Sequence, residues 1–237
     1  MKTIGLIAGM SWESSIEYYR IINETVRTEL GGLHSAKSIM VSVEFAEIEA
    51  MQHQGRWDDA AKILIDAARK LESGGADFAI ICTNTMHKLY GKIQQCVRIP
   101  LLHIADATAE LIKAQGIQKI ALLGTRFTME ENFYKERLIE NYGLDVIIPG
   151  AQYREIVHRI IYDELCAGIV QLDSKQKYAD IIRRLVKEGA EGTILGCTEI
   201  GLLVKPEDSP VPLFDTTEIH AKAAVKYALA DEMSPPR

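Results

Sequence analysis

Apolar residues in this chain fall into short continuous runs, separated by stretches where they recur every three to four positions. Residues 4–8 read as a buried strand. Residues 11–30 read as a helix, with Ser11 as its N-cap ahead of Glu13 and Ser14. A second strand is predicted at 39–43. Ala60, Ile63, Leu64, Ala67 and Leu71 share one helical face, and 78–82 follows as a third strand. The order then returns: a strand at 120–123, a helix from about Met129, a strand at 146–148, helices to Glu188, and a strand at 193–195. Strands alternating with helices make βαβ units and a mostly parallel sheet, an α/β fold.

The second half repeats the first. Ala68-Arg69-Lys70-Leu71 aligns with Ile182-Arg183-Arg184-Leu185, and Gly75-Ala76-Asp77 then falls on Gly189-Ala190-Glu191. At the same offset Ile80-Ile81-Cys82-Thr83-Asn84-Thr85 falls on Ile194-Leu195-Gly196-Cys197-Thr198-Glu199. Ile99-Pro100-Leu101-Leu102 matches Val211-Pro212-Leu213-Phe214, and Thr3-Ile4-Gly5-Leu6-Ile7 matches Lys119-Ile120-Ala121-Leu122-Leu123. Four matches in order read as a duplication. The expected domains are 1–102 plus 211–237, and 103–210. Ligands of open parallel sheets sit beyond the carboxyl ends of the strands. Two halves related by a pseudo-twofold axis would therefore turn Thr83-Asn84-Thr85 and Cys197-Thr198-Glu199 toward one cleft.

Composition narrows the chemistry. The chain has 237 residues, with 27 Lys and Arg against 33 Asp and Glu, a net charge of −6. That balance argues against a nucleic-acid partner, which calls for a basic face. No apolar run reaches the length of a membrane helix, and the apolar stretch near the N-terminus is too brief for a signal core, so a cytoplasmic protein is expected. Cys82, Cys96, Cys166 and Cys197 form no CxxC pair and share no metal-like spacing with the six histidines, so neither a metal site nor a disulfide framework is expected.

Two opposed groups that exchange protons with one carbon suit racemisation or epimerisation by general acid–base catalysis. A thiol fits the base role, because a helix N-terminus following Cys197 would lower its pKa. The motifs Gly9-Met10-Ser11, Cys82-Thr83-Asn84-Thr85-Met86-His87 and Gly196-Cys197-Thr198-Glu199 resemble the aspartate/glutamate racemases that work without pyridoxal phosphate. The resemblance runs nearly end to end. It implies two Rossmann-like domains with four-stranded sheets, no cofactor, a homodimer, and a cleft holding a small acidic amino acid.

One departure matters. The family usually places cysteine at both equivalent positions, whereas here Thr83 precedes Asn84-Thr85 and Cys82 lies one step earlier. Strand alternation turns Cys82 away from the site. The resemblance then implies Cys197 as the thiolate base and Thr83 as its weaker partner, a pairing known in the family, with L-aspartate and L-glutamate preferred. By analogy Met10, Ser11, Asn84, Thr85 and Thr198 hold the α-amino and α-carboxylate groups, and Gln52 holds the side-chain carboxylate. Arg56 and Arg126 are substitutes for Gln52, and Cys166 stands about where some relatives carry a lysine. Glu199 has three open roles: pairing with the ammonium, polarising Cys197, or capping a helix.

Blander readings stand beside these. His87 either orients a catalytic group or sits on a helix surface. Asp106 and Asp215 are N-caps, Trp12, Tyr18 and Tyr19 are core, and Lys70, Arg183 and Arg184 are solvated helix positions. Residues 233–237 are a frayed tail. Two further functions remain open: a single-cysteine decarboxylase resembling the arylmalonate decarboxylases, and a binder of acidic amino acids without turnover.

Overall fold

The computed structural model describes residues 1–230; the tail expected at 233–237 lies outside them. The chain divides into two units, residues 1–104 with the segment from His220 on, and residues 105–219.

In the first unit β1 (Ile4–Ala8), β2 (Ser38–Ser42), β3 (Phe78–Ile81) and β4 (Leu101–Leu102) form one parallel sheet in the order β2-β1-β3-β4. The period-two alternation of a strand sorts its side chains into two layers. Ile4, Leu6, Ala8, Phe78, Ile80 and Cys82 pack beneath α1 (Trp12–Leu30) and the C-terminal helix, while Ile7, Ala79 and Ile81 pack on the opposite layer. That second layer is closed by α2 (Phe45–His53), α3 (Trp57–Ser73) and α4 (Tyr90–Gln94). Each fully buried Leu or Ile removed from water contributes about 1.5–3 kcal/mol. As read from the sequence, Ser11 caps α1, its Oγ accepting from Ser14 N.

The chain leaves the first unit within α5 (Ile104–Ala114). In the second unit β5 (Lys119–Gly124) is followed by α6 (Arg126–Glu130) and α7 (Asn132–Tyr142), then β6 (Asp145–Ile147) and α8 (Ala151–Arg159). The helix expected from about Met129 is thus two helices. Thr125 caps the first, and Glu131, in extended backbone with ψ 156°, breaks it from the second. After a π turn (Ile160–Glu164) and a 3-10 turn (Leu165–Ala167) come α9 (Leu172–Lys187), β7 (Gly192–Gly196), α10 (Ile200–Leu203) and β8 (Leu213–Asp215), and then the C-terminal helix α11 (Thr216–Leu229), which from His220 on belongs to the first unit. The sheet order β6-β5-β7-β8 is parallel and has the topology of the first.

The duplication extends to the register. Ile4 pairs with Phe78 and Ala79 with Leu101 in the first sheet; their repeat equivalents Ile120 with Gly192 and Thr193 with Leu213 pair in the second. Asp77 Oδ2 accepts from Thr3 N at 2.6 Å, and the equivalent Glu191 Oε2 accepts from Gln118 N at 2.7 Å and Lys119 N at 3.1 Å. One boundary differs from the expectation. Residues 211–219 belong to the second unit, because Leu213–Asp215 completes that sheet by pairing with β7.

Candidate active site

The first motif is built on a glycine that nothing else can replace. Gly9 has φ 89°, and a Cβ there would lie 2.2 Å from Val43 O. Its N–H donates to Ser15 Oγ at 2.8 Å, and Ser14 Oγ donates to Cys82 O at 3.0 Å. The turn carrying buried Met10 and Ser11 is thereby tied to the end of β3, where half-buried Thr83 and buried Asn84 and Thr85 follow. Gln52 of α2 reaches the same segment, its Nε2 donating to Met86 Sδ at 3.0 Å. The structure thus groups Met10, Ser11, Gln52, Thr83, Asn84 and Thr85 within one unit.

His87 holds this segment in place. Its Nε2 accepts from Ile104 N at 3.2 Å, so the ring proton sits on Nδ1, which donates to Thr83 O at 2.8 Å. The ring packs against His103 at 4.6 Å and His220 at 5.7 Å, and His220 in turn meets Tyr18 Oη at 2.9 Å and Leu102 O at 3.1 Å. His87 is therefore buried and bonded to the Thr83 backbone, and does not lie on a helix surface. Cys82 is fully buried among Ile4, Leu6, Tyr18 and Val225, as alternation required, and burial alone pushes its thiol far up.

In the second unit the chain leaves β7 at Gly196 and presents Cys197, Thr198 and Glu199. Cys197 Sγ donates to Glu199 Oε2 at 2.9 Å, and Thr198 Oγ1 donates to the same oxygen at 2.6 Å. Glu199 is buried, and no side-chain cap bond to α10 is formed. Of the three roles open in the sequence, the structure displays the contact with the thiol. The Cys197 thiol is pushed well above its ordinary range, first by burial and then by the negative charge of Glu199. This corrects the expectation of a lowered pKa. The following helix has four residues, and a buried acid lies in contact with the sulfur. The resting group is a protonated thiol with an acceptor already in contact.

A family model described as Asp/Glu/Hydantoin racemase matches residues 7–224. The chain belongs to this family of racemases. The crystal structure of an Asp/Glu racemase candidate from Yersinia pestis is 56% identical, with a TM-score of 0.91, over 97% of this chain and 100% of that one. An aspartate racemase homologue from Pyrococcus horikoshii OT3 is 38% identical, with a TM-score of 0.83, over 96% and 99%. The broad specificity amino-acid racemase RacX of Bacillus subtilis (strain 168) is 30% identical over 176 residues, 73% of this chain and 74% of its own.

Other residues fall outside these racemase motifs. Arg56 is exposed and paired with Asp59 at 2.9 Å, and Arg126 is exposed with its backbone N–H on His158. Cys166, partly buried, packs on the apolar cluster that contains Cys197. Asp106 is no N-cap; it takes a bidentate pair from Arg137 at 2.6 and 2.7 Å. Asp215 does cap α11, accepting from Thr217 N and Glu218 N, and burial pushes its carboxyl up. Tyr18 is core, but Trp12 and Tyr19 lie on the solvent side of α1. Among the described residues no helix is long and apolar enough to cross a membrane, and no cluster of three or more His, Cys, Asp or Glu is arranged to hold a metal ion.

Proposed function

We propose that this chain racemises acidic amino acids at Cα without a cofactor, preferring L-aspartate and L-glutamate, with Cys197 and Thr83 serving opposite faces of that carbon. The observation that carries the reading is the hydrogen bond from Cys197 Sγ to the buried Glu199 carboxylate at 2.9 Å. A thiol whose ionisation is opposed by burial acts as a base only if its proton has somewhere to go, and Glu199 is in contact to take it. Once the proton passes to Glu199, the thiolate removes the α-proton of the L-substrate. The carbanion is reprotonated on its other face from the Thr83 hydroxyl or a water it orients, and solvent restores that proton. Asn84, Thr85, Thr198 and the Met10–Ser11 turn hold the α-substituents, and Gln52 takes the distal carboxylate. In this reading the enzyme is a cytoplasmic homodimer.

Gln52 is neutral, so its grip on a carboxylate is weaker than an arginine's, and discrimination between aspartate and glutamate is modest. The broad specificity of the B. subtilis relative agrees with a loosely selective side-chain site. The test is incubation in D2O with L-Asp, D-Asp, L-Glu and D-Glu, with deuterium at Cα read by NMR and inversion by chiral chromatography. Exchange and inversion from the L forms, abolished in Cys197→Ala, is the expected result. No exchange from any of the four overturns the acidic-substrate reading.

A further inference from the structure

In the second unit, α8 and α9 border a cavity of about 540 Å³ with an unusual lining. Tyr153 and Ile156 of α8 and Ile181 of α9 supply its apolar surface, while Lys177, Arg184 and Lys187 line it with positive charge. The volume lies in the range of small-ligand sites. Arg183 and Asp180, also in the lining, neutralise each other at 2.7 Å, and Lys177 pairs with Asp173 at 2.6 Å. Arg184 lies over the Tyr153 ring at 5.0 Å and, behind Arg183, helps hold the Asp180 carboxyl low, while neither it nor Lys187 makes a direct ion pair among the described residues.

Arg184 and Lys187 are three positions apart on one helix, where like charges repel. The chain carries net charge −6, so this local excess of cations runs against its composition. Arg183 and Arg184 are exposed, as expected from sequence, and also border this cavity. Lys177 and Lys187 are ten residues apart, about 15 Å along the helix axis, so one carboxylate cannot engage both ends. A diphosphate can contact Arg184 and Lys187 together. The apolar lining beside it, from Tyr153, Ile156 and Ile181, suits a flat organic group.

We propose that the groove between α8 and α9 is a binding site for a nucleoside diphosphate or a similar organic phosphate. The phosphates lie at Arg184 and Lys187, and the aromatic part lies against Tyr153, Ile156 and Ile181. A single cavity of this volume in an acidic chain suits one mononucleotide and excludes a nucleic-acid strand. The site does not depend on the racemase reading, because its test measures binding and no turnover.

The experiment is isothermal titration calorimetry on the full chain with ADP, inorganic pyrophosphate and adenosine as probes. ADP binds more tightly than pyrophosphate, and adenosine gives no measurable heat. Arg184→Ala and Lys187→Ala each weaken ADP by about tenfold, the loss of one charge-assisted hydrogen bond. Tyr153→Ala narrows the lead of ADP over pyrophosphate while leaving pyrophosphate affinity in place. The arginine and lysine are exposed, so folding survives their removal, and circular dichroism checks each variant. Absence of ADP binding at millimolar concentration overturns the proposal. So does unchanged ADP affinity in the Arg184→Ala, Lys187→Ala double variant, which would locate the nucleotide elsewhere. Pyrophosphate binding as tightly as ADP overturns the assignment of an organic ligand.

Discussion

Glu199→Gln separates two effects of one buried acid. In the wild type Oε2 accepts from Cys197 Sγ at 2.9 Å and from Thr198 Oγ1 at 2.6 Å. Glutamine keeps the shape and an acceptor oxygen but loses the charge. Hydrogen bonds to a charged partner contribute about 1.5–3 kcal/mol and neutral ones about 0.5–1.5, so the exchange withdraws about 1 kcal/mol from each bond, about 2 in all. The lower cost of burying an amide returns part of this. For a chain of this size the melting temperature therefore falls by at most roughly 4–8 °C, and the variant stays folded at 25 °C.

The thiol responds in the opposite sense to the rate. Burial and then the charge of Glu199 oppose its ionisation, so removing the charge lets the thiolate form at lower pH than in the wild type. Yet a group that takes the thiol proton is a general base, and losing it slows turnover by about 10²–10⁴-fold. The variant should thus hold a more readily ionised Cys197 and exchange substrate more slowly. Alkylation by iodoacetamide across a pH series, followed at the Cys197 peptide by mass spectrometry, reads the first; deuterium incorporation into L-aspartate reads the second. Peptide resolution matters because Cys96 and Cys166 are partly accessible. Earlier ionisation with undiminished exchange would refute the proton path, leaving Glu199 a hindrance to the thiolate. An unmoved alkylation profile would refute the contact itself.

Three further outcomes are expected. Thr83→Cys raises deuterium incorporation from D-aspartate by on the order of tenfold or more, since a thiol is a far better base than a hydroxyl; no gain would show that the Thr83 side does not limit the D direction. Gly9→Ala forces a left-handed backbone on a Cβ that would meet Val43 O at 2.2 Å. Strain of about 1–2 kcal/mol and overpacking of about 1–3 kcal/mol lower the melting temperature by roughly 5 °C or more, and calorimetry showing less than 1 °C would contradict the turn geometry. Asp215 has its carboxyl pushed above the ordinary range by burial, so its ionised form is disfavoured in the fold and that penalty is fully present at neutral pH. As pH falls through its folded value toward the unfolded one, the wild type regains stability that Asp215→Asn cannot. Urea unfolding at neutral and mildly acidic pH should show the variant losing ground relative to wild type on acidification, and parallel curves would count against the burial effect.

Much of this was legible in one dimension because the physics is local. Uninterrupted runs such as Ile4–Ala8 leave no polar face and read as buried strands, and Ser11 is a cap wherever a helix follows it. The duplication was visible because strand ends and the turns before them tolerate few substitutions. What the sequence hid is tertiary. Arg137 and Asp106 meet across 31 residues, which no periodicity encodes. Trp12, Ile16 and Tyr19 follow helical spacing on the solvent side of α1, and spacing does not say which side is covered. The raised Cys197 thiol escaped for a finer reason. An acid two residues on either caps the next helix or turns back to the sulfur, and only the rotamer decides.

The halves differ by more than the exchange of threonine for cysteine. Under the repeat Glu199 corresponds to Thr85, Gly201 to His87, and Asp215 to His103. The last two pairs occupy neighbouring positions in both units. His87 and His103 pack with ring centroids 4.6 Å apart in the first, and a Cβ on Gly201 would come within 2.3 Å of Asp215 Oδ2 in the second. The first unit thus spends these positions on an imidazole that fixes the Thr83 carbonyl, whereas the second clears them and aims an acid at its thiol. In the proposed reaction each choice suits its proton carrier. A hydroxyl that donates needs only to be held in place, while a buried thiol that must ionise needs an acceptor beside it. Thr83→Cys therefore supplies a sulfur at a position whose acid partner is missing, and its gain should stay below the exchange that Cys197 supports from the L side. If Thr83→Cys alone matched the L-side rate, a thiol in this fold would need no neighbouring acid, and Glu199→Gln would have to be silent as well.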